Sequence, residues 1–243
     1  MRYFESFKNI NSPIIFTCEH ASSSIPPEYD NLGLTRNQLE RAKDLFDPGA
    51  LDLAIFLNKK IPSNLVYPLF SRLLIDANRN ISTVSHANKH HAPALKTELL
   101  LDDNLIPIPG NLDADEALRW NEYVKPYYLY VKELSQDLLK KFDSVYLFQI
   151  HSFYPEYSGE TRKEDIGIIH NNLEVAKKII KEIDGLEVGD NKPWGMEAVG
   201  GGVFHNLDNI NVIGIDVNNK HLESPDKIGN VLYKSLKIFK IEK

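Results

Sequence analysis

The chain is built of short apolar runs that break off on polar residues and are separated by stretches of helical period. Ile14-Ile15-Phe16-Thr17-Cys18 runs into Glu19-His20, and Val145-Tyr146-Leu147-Phe148-Gln149-Ile150 runs into His151-Ser152. Val212-Ile213-Gly214-Ile215-Asp216-Val217 carries a carboxylate near its end. Runs this short, rich in β-branched and aromatic residues, read as buried strands rather than helices. Leu65-Val66-Tyr67, Leu73-Leu74-Ile75 and Ile166-Gly167-Ile168-Ile169 read as further strands.

The intervening segments carry helix signals. Asp47-Pro48 offers a capping carboxylate followed by proline at the first helical position, and Leu51, Leu53, Ala54 and Leu57 supply the apolar face of a helix from about Pro48 to Lys60. Asn172 opens a helix to about Ile183, and Ser224-Pro225 repeats the cap-and-proline device before a last helix through Leu232, Leu236 and Phe239. Residues 113–142 keep a helical period that Pro126 kinks or splits. The polar stretch 82–111 shows no sustained period and is expected to run over the surface as a long loop. Strands alternating with helices predict an α/β fold: a single domain over residues 1–243 with a mixed, largely parallel central sheet flanked by helices.

Composition narrows the function. Apolar residues make up 42% and charged residues 26%, which excludes disorder as the main state. The net charge is −6, with no long basic block, so a nucleic-acid partner is not expected. No apolar run approaches the roughly 20 residues of a membrane span, and the first residues show no signal-peptide core; a cytoplasmic location without a membrane partner is expected. Cys18 is the only cysteine, so a transition-metal site within one chain has to be built from histidines and carboxylates.

In open α/β sheets, ligands bind at the carboxyl ends of strands. Three predicted strands deliver Glu19 and His20, His151 and Ser152, and Asp216 to that end. Two imidazoles and one carboxylate suit a zinc ion with an open fourth position. Plainer readings stand beside this one. A histidine after a strand is often only hydrogen-bonded, and Asp47 reads locally as a helix cap. Arg72, Asp76, Asn78 and Arg79 suit a solvated turn as well as a pair of guanidinium groups for a substrate carboxylate. Other motifs are discounted. Gly200-Gly201-Gly202 lacks the flanking signals of a phosphate loop, and the side chains of the adjacent His90 and His91 diverge in regular structure. Cys18 suits a core, and Ser152 has no glycine-flanked nucleophile turn.

Six ordered segments resemble the N-formylglutamate amidohydrolase family: Cys18-Glu19-His20-Ala21-Ser22 with Ile25-Pro26, Asp47-Pro48-Gly49-Ala50, Ser71 through Arg79, Ile108-Pro109-Gly110-Asn111, His151-Ser152-Phe153 and Gly189-Asp190-Asn191. The resemblance runs from about Ile14 to Leu222. It implies a fold similar to zinc carboxypeptidases and zinc cell-wall amidases, and hydrolysis of N-formyl-L-glutamate, a reaction of histidine degradation, or of a related N-acyl amino acid. It further implies one zinc ion, or another divalent metal, on His20, Asp47 and His151. Asp216 is then the expected catalytic base, with Glu19 the second candidate, and Arg72, Asp76, Asn78, Arg79 and Ser152 are the expected substrate-binding residues. Two departures from the family pattern stand out. Asp216 and Asn218 occupy the place of a glutamate followed by a basic residue, and Arg162-Lys163 replaces an Arg-Pro-Trp type segment. The first keeps open a catalytically silent small-molecule-binding protein of the same fold, and the second weakens the case for a dicarboxylate substrate; an amidase for cell-wall peptides is a third alternative.

Overall fold

In the computed structural model, which describes residues 3–81, 93–102, 104–157, 159–194, 203–204 and 207–239, the apolar runs pair into a seven-stranded sheet. The strands in chain order are β1 (Phe4–Phe7), β2 (Ile14–Thr17), β3 (Asn64–Pro68), β4 (Glu98–Leu101), β5 (Asn104–Pro107), β6 (Val145–Phe153), β7 (Glu156–Tyr157), β8 (Glu160–Thr161), β9 (Ile166–His170), β10 (Val188–Asp190) and β11 (Ile210–Asn218). The sheet order is β1-β3-β2-β6-β11-β9-β10. Its centre, β3-β2-β6-β11, is parallel throughout; β1 and β9 are antiparallel to their neighbours β3 and β11, and β10 is parallel to β9. This is the mixed, mostly parallel α/β sheet that the sequence predicts. The strands β4–β5 and β7–β8 form two small hairpins apart from it.

The helices are α1 (Arg36–Arg41), α2 (Ala50–Lys60), α3 (Glu116–Arg119), α4 (Lys125–Leu139), α5 (Leu173–Lys181) and α6 (Pro225–Leu236). A π-helical turn at Trp120–Val124 joins α3 to α4, so the helical period of residues 113–142 is interrupted just before Pro126, which stands in the first turn of α4. One face of the sheet packs Ile14, Phe16, Phe148, Ile150, Ile213 and Ile215 against Leu53 and Leu57 of α2, Ile179 of α5 and Leu232 of α6. The other packs Ile15, Leu147 and Val212 with Tyr127, Val131, Leu134 and Leu138 of α4. Among the described residues no helix is long and apolar enough to cross a membrane.

Four local expectations are corrected. Leu73-Leu74-Ile75 is a turn rather than a strand: Leu74 N–H donates to Ser71 O at 3.0 Å and Leu73 N–H to Ser71 Oγ at 3.1 Å, and the three side chains are buried in the α4-side core. Their apolar character reports burial, not pairing. Asp47 does not cap α2. The capping position is Gly49, at φ +76°, a left-handed conformation that favours glycine. Ser224 precedes α6 but makes no side-chain cap bond, whereas the Asn172 side chain accepts from the N–H groups of Glu174 and Val175 as expected. Residues 93–111 are no bare surface loop, because they hold the β4–β5 hairpin and bury Ala94, Leu95, Leu99 and Ile108. Residues 82–92, with His90-His91, and Gly200-Gly201-Gly202 lie outside the described residues.

Candidate metal centre

Alternation along each strand builds the site. On the α4 face, β6 presents Val145, Leu147, Gln149 and His151, and β11 presents Ile210, Val212, Gly214 and Asp216. From β2 the same phase gives Ile15, Thr17 and then Glu19. Register aligns Ile15 with Leu147 and Val212, then Thr17 with Gln149 and Gly214, and sets His151 opposite Asp216. The apolar row is therefore followed by polar rows at the carboxyl edge.

His20, Asp47 and His151 converge there with one ligand atom each, all within 4.8 Å of one another. Asp47 Oδ2 lies 3.3 Å from His20 Nδ1 and 2.9 Å from His151 Nδ1. Two ligands of a tetrahedral zinc lie about 3.4 Å apart, so these spacings fit such an ion. The far nitrogen of each ring faces a carboxylate: His20 Nε2 is hydrogen-bonded to Asp76 Oδ1 at 2.8 Å, and His151 Nε2 lies at ion-pair distance, 3.1 Å, from Glu19 Oε2 and 3.4 Å from Asn78 Nδ2. A carboxylate behind a histidine fixes its tautomer and leaves the other nitrogen for a metal. Behind these, Tyr127 Oη donates to Glu19 Oε1 at 3.0 Å, and Arg72 Nη2 donates to Asp76 Oδ2 at 2.9 Å. Arg72 Nη1 stands 3.5 Å from Asp47 Oδ1, and Ser152 donates through its N–H to Asp47 Oδ2 and through its hydroxyl to Pro48 O. The Asp47 side chain thus turns away from its helix and into the cluster.

Charge balance bears on what belongs at this point. Glu19, Asp47, Asp76 and Asp216 are only 1%, 7%, 1% and 8% exposed, and among the described residues Arg72 is the only arginine or lysine that pairs with any of them. Burying carboxylates without cations is costly, so the cluster calls for positive charge from a divalent ion or from both imidazoles. Burial tends to raise the Asp47 carboxyl, yet His20 and His151 hold it well below the usual carboxylate range. Against burial, Arg72 and His20 do the same for Asp76, and His151 lowers Glu19. Burial tends to lower the His151 imidazole, but hydrogen bonds to Asp47 and Glu19 lift it well above its ordinary value. Asp216 differs from the other three: burial raises its carboxyl, and its hydrogen bond comes from Trp194 Nε1 at 3.1 Å.

The cluster opens on a cavity of about 260 Å³, near the lower limit of small-molecule sites. His20, Asp47, Arg72, Asn78, Arg79, His151, Ser152 and Asp216 line it, whereas Glu19 and Asp76 stand behind the wall. Asn78 is held by Gln149, whose Nε2 donates to its Oδ1 at 3.1 Å. Arg79 Nη1 donates to Asn78 O, and among the described residues no carboxylate pairs with its guanidinium. The sequence reading missed Lys96, Asp44, Tyr157 and Trp194 and singled out Arg162 only as a departure from the family pattern; all five also line the cavity. They sit on loops and short hairpins without periodic signal. Gln149 was findable, as a polar residue in phase with His151 inside an apolar run.

Comparison with known proteins agrees with this architecture. No curated protein matches the sequence. The crystal structure of gene product Atu2144 from Agrobacterium tumefaciens superposes with a TM-score of 0.79 at 30% identity, over 98% of this chain and 96% of that one. An N-formylglutamate amidohydrolase from Ralstonia eutropha JMP134 superposes at 0.70 with 15% identity, over 98% and 97%, and shares the fold. The sequence model of the N-formylglutamate amidohydrolases matches residues 12–222, a span that takes in every residue of the cluster, and the chain belongs to that family.

Proposed function

We propose that this chain is a zinc-dependent amidohydrolase that cleaves N-formyl-L-glutamate, or a related small N-acyl amino acid, to the carboxylic acid and the free amino acid. The observation that carries this reading is the convergence of His20, Asp47 and His151, with Asp216 beside them, on a cavity of amino-acid size. His20 and His151 would hold the ion through Nδ1, since each Nε2 already has a carboxylate, and Asp47 through Oδ2. A bound zinc ion lowers the pKa of water and polarises the amide carbonyl.

Asp216 takes the proton of the attacking water and delivers it to the leaving nitrogen, work worth about 10²–10⁴ in rate. It is preferred to Glu19 because it lines the cavity and has no cationic side chain within 4 Å among the described residues, while Glu19 is engaged by Tyr127 and His151. Arg72 already has Asp47 and Asp76 as partners and locks them in place. Arg79, without such a partner, receives the substrate carboxylate by a two-pronged hydrogen bond. Asp76 orients His20, Ser152 fixes Asp47, and Asn78 borders the substrate.

The test is a hydrolysis screen of zinc-loaded protein over N-formyl, N-acetyl and larger N-acyl amino acids, read by release of the free amine. N-formyl amino acids with acidic side chains should be cleaved fastest, with activity lost on chelation and restored by zinc. Binding of these compounds without turnover of any of them would leave a silent binding protein and end the hydrolase reading.

A further inference from the structure

We propose that Trp194 positions the Asp216 carboxylate for proton transfer, as part of a strap whose seat on the sheet is made by Gly167 and Gly189. The proposal rests on the hydrolase reading above and on Asp216 as its base. On the sheet, Gly167 of β9 pairs with Asp216 of β11 on one side and with Gly189 of β10 on the other. The chain that leaves β10 folds back over these two glycines. A Cβ at Gly167 would collide with the Lys192 carbonyl, and one at Gly189 would come within 2.7 Å of Lys192 Cβ and 2.8 Å of Glu164 Cγ. Only residues without side chains let the strap lie in contact with the sheet at this point. That contact brings Trp194 to β11.

There its indole N–H donates to Asp216 Oδ1 at 3.1 Å, and Oδ2 has no hydrogen bond among the described residues. The indole is itself held. The Arg162 guanidinium lies 4.2 Å from the Trp194 ring centroid, and Phe153 meets the ring edge-on at 6.4 Å and 82°. A carboxylate turns easily about its last torsion, which has broad minima. With one oxygen tied to a clamped donor, the other is presented to the cavity in a fixed direction. General-base transfer depends on such placement, and a displacement of about 1 Å can cost about a hundredfold in rate.

The sequence holds two tryptophans, so the indole N–H region of a proton–nitrogen correlation spectrum of the full chain carries two cross-peaks, and Trp194→Phe identifies one by deleting it. Asp216→Asn should move that cross-peak and speed its exchange with solvent. Trp194→Phe, which keeps a ring for Arg162 but removes the donor, should bind zinc as the wild type does and hold KM within about threefold while kcat falls by about ten- to a hundredfold. Gly189→Ala, which lifts the strap and leaves the indole in the chain, should lower kcat in the same direction. An active wild type with a fully active Trp194→Phe variant overturns the proposal alone, whereas a wild type that hydrolyses nothing overturns it together with the hydrolase reading. If Trp194→Phe does not fold, Trp120→Phe assigns the two cross-peaks by deleting the other one, and a Trp194 resonance indifferent to Asp216→Asn overturns the proposal.

Discussion

The two faces of the central sheet are made by the same strands and end differently. Under α2, α5 and α6, apolar side chains continue to the carboxyl edge, through Phe16 and Cys18, Phe148 and Ile150, and Ile213, Ile215 and Val217, all buried. Under α4 they stop at Ile15, Leu147 and Val212, and the positions beyond are Thr17 and Glu19, Gln149 and His151, Gly214 and Asp216. Each aliphatic side chain left out of a core forgoes about 1.5–3 kcal/mol. The fold tolerates that loss because the rest of the α4 side and the whole of the other face are packed with buried apolar residues. Polar side chains thus enter this sheet in one phase of the strand alternation, over the last rows before the edge.

Substitutions on the two faces should therefore act differently. The largest effect belongs to His20→Ala and His151→Ala, which should abolish hydrolysis because a catalytic zinc depends on its three protein ligands, while far-UV circular dichroism keeps its wild-type shape. Unfolding of both variants would mean that the polar rows hold the sheet together and are not separable from the core. Next comes Asp216→Asn, for which steady-state kinetics should show kcat down by about 10²–10⁴ with zinc content unchanged. On the apolar face, Leu57→Ala should cost about 2–5 kcal/mol in urea denaturation by leaving a cavity, with kcat of the folded protein as in wild type. A tenfold loss of kcat there would deny the separation of the faces. The smallest effect is expected for Arg79→Lys: KM up by about tenfold, since an ammonium loses one of two charged hydrogen bonds, and no change for substrates whose carboxylate is amidated.

Much of this was legible in the strand sequences, because burial and alternation are local signals. The runs ending in Glu19-His20 and His151-Ser152, and the run bearing Asp216, became neighbouring parallel strands with their polar residues at one edge. What escaped was set at long range. Asp47 before Pro48 looks locally like a helix cap, and only contacts with His20 and His151, 27 and 104 residues away, turn its carboxylate into the cluster. Leu73-Leu74-Ile75 has strand-like composition, yet the Ser71 carbonyl and hydroxyl bend it into a turn. The Arg162 guanidinium lies over the Trp194 ring from a separate loop, a pairing that no local period encodes.

On the proposed reading, His20, Asp47 and His151 form one metal site at the polar edge of the α4 face. Calorimetric titration of chelator-dialysed protein with zinc tests it most directly, on the wild type beside His151→Ala and Asp47→Ala. The wild type should take up one zinc ion per chain, and binding should be weakened at least about tenfold in each variant. A wild type that takes up no zinc, or variants that bind it as tightly as the wild type, would contradict it.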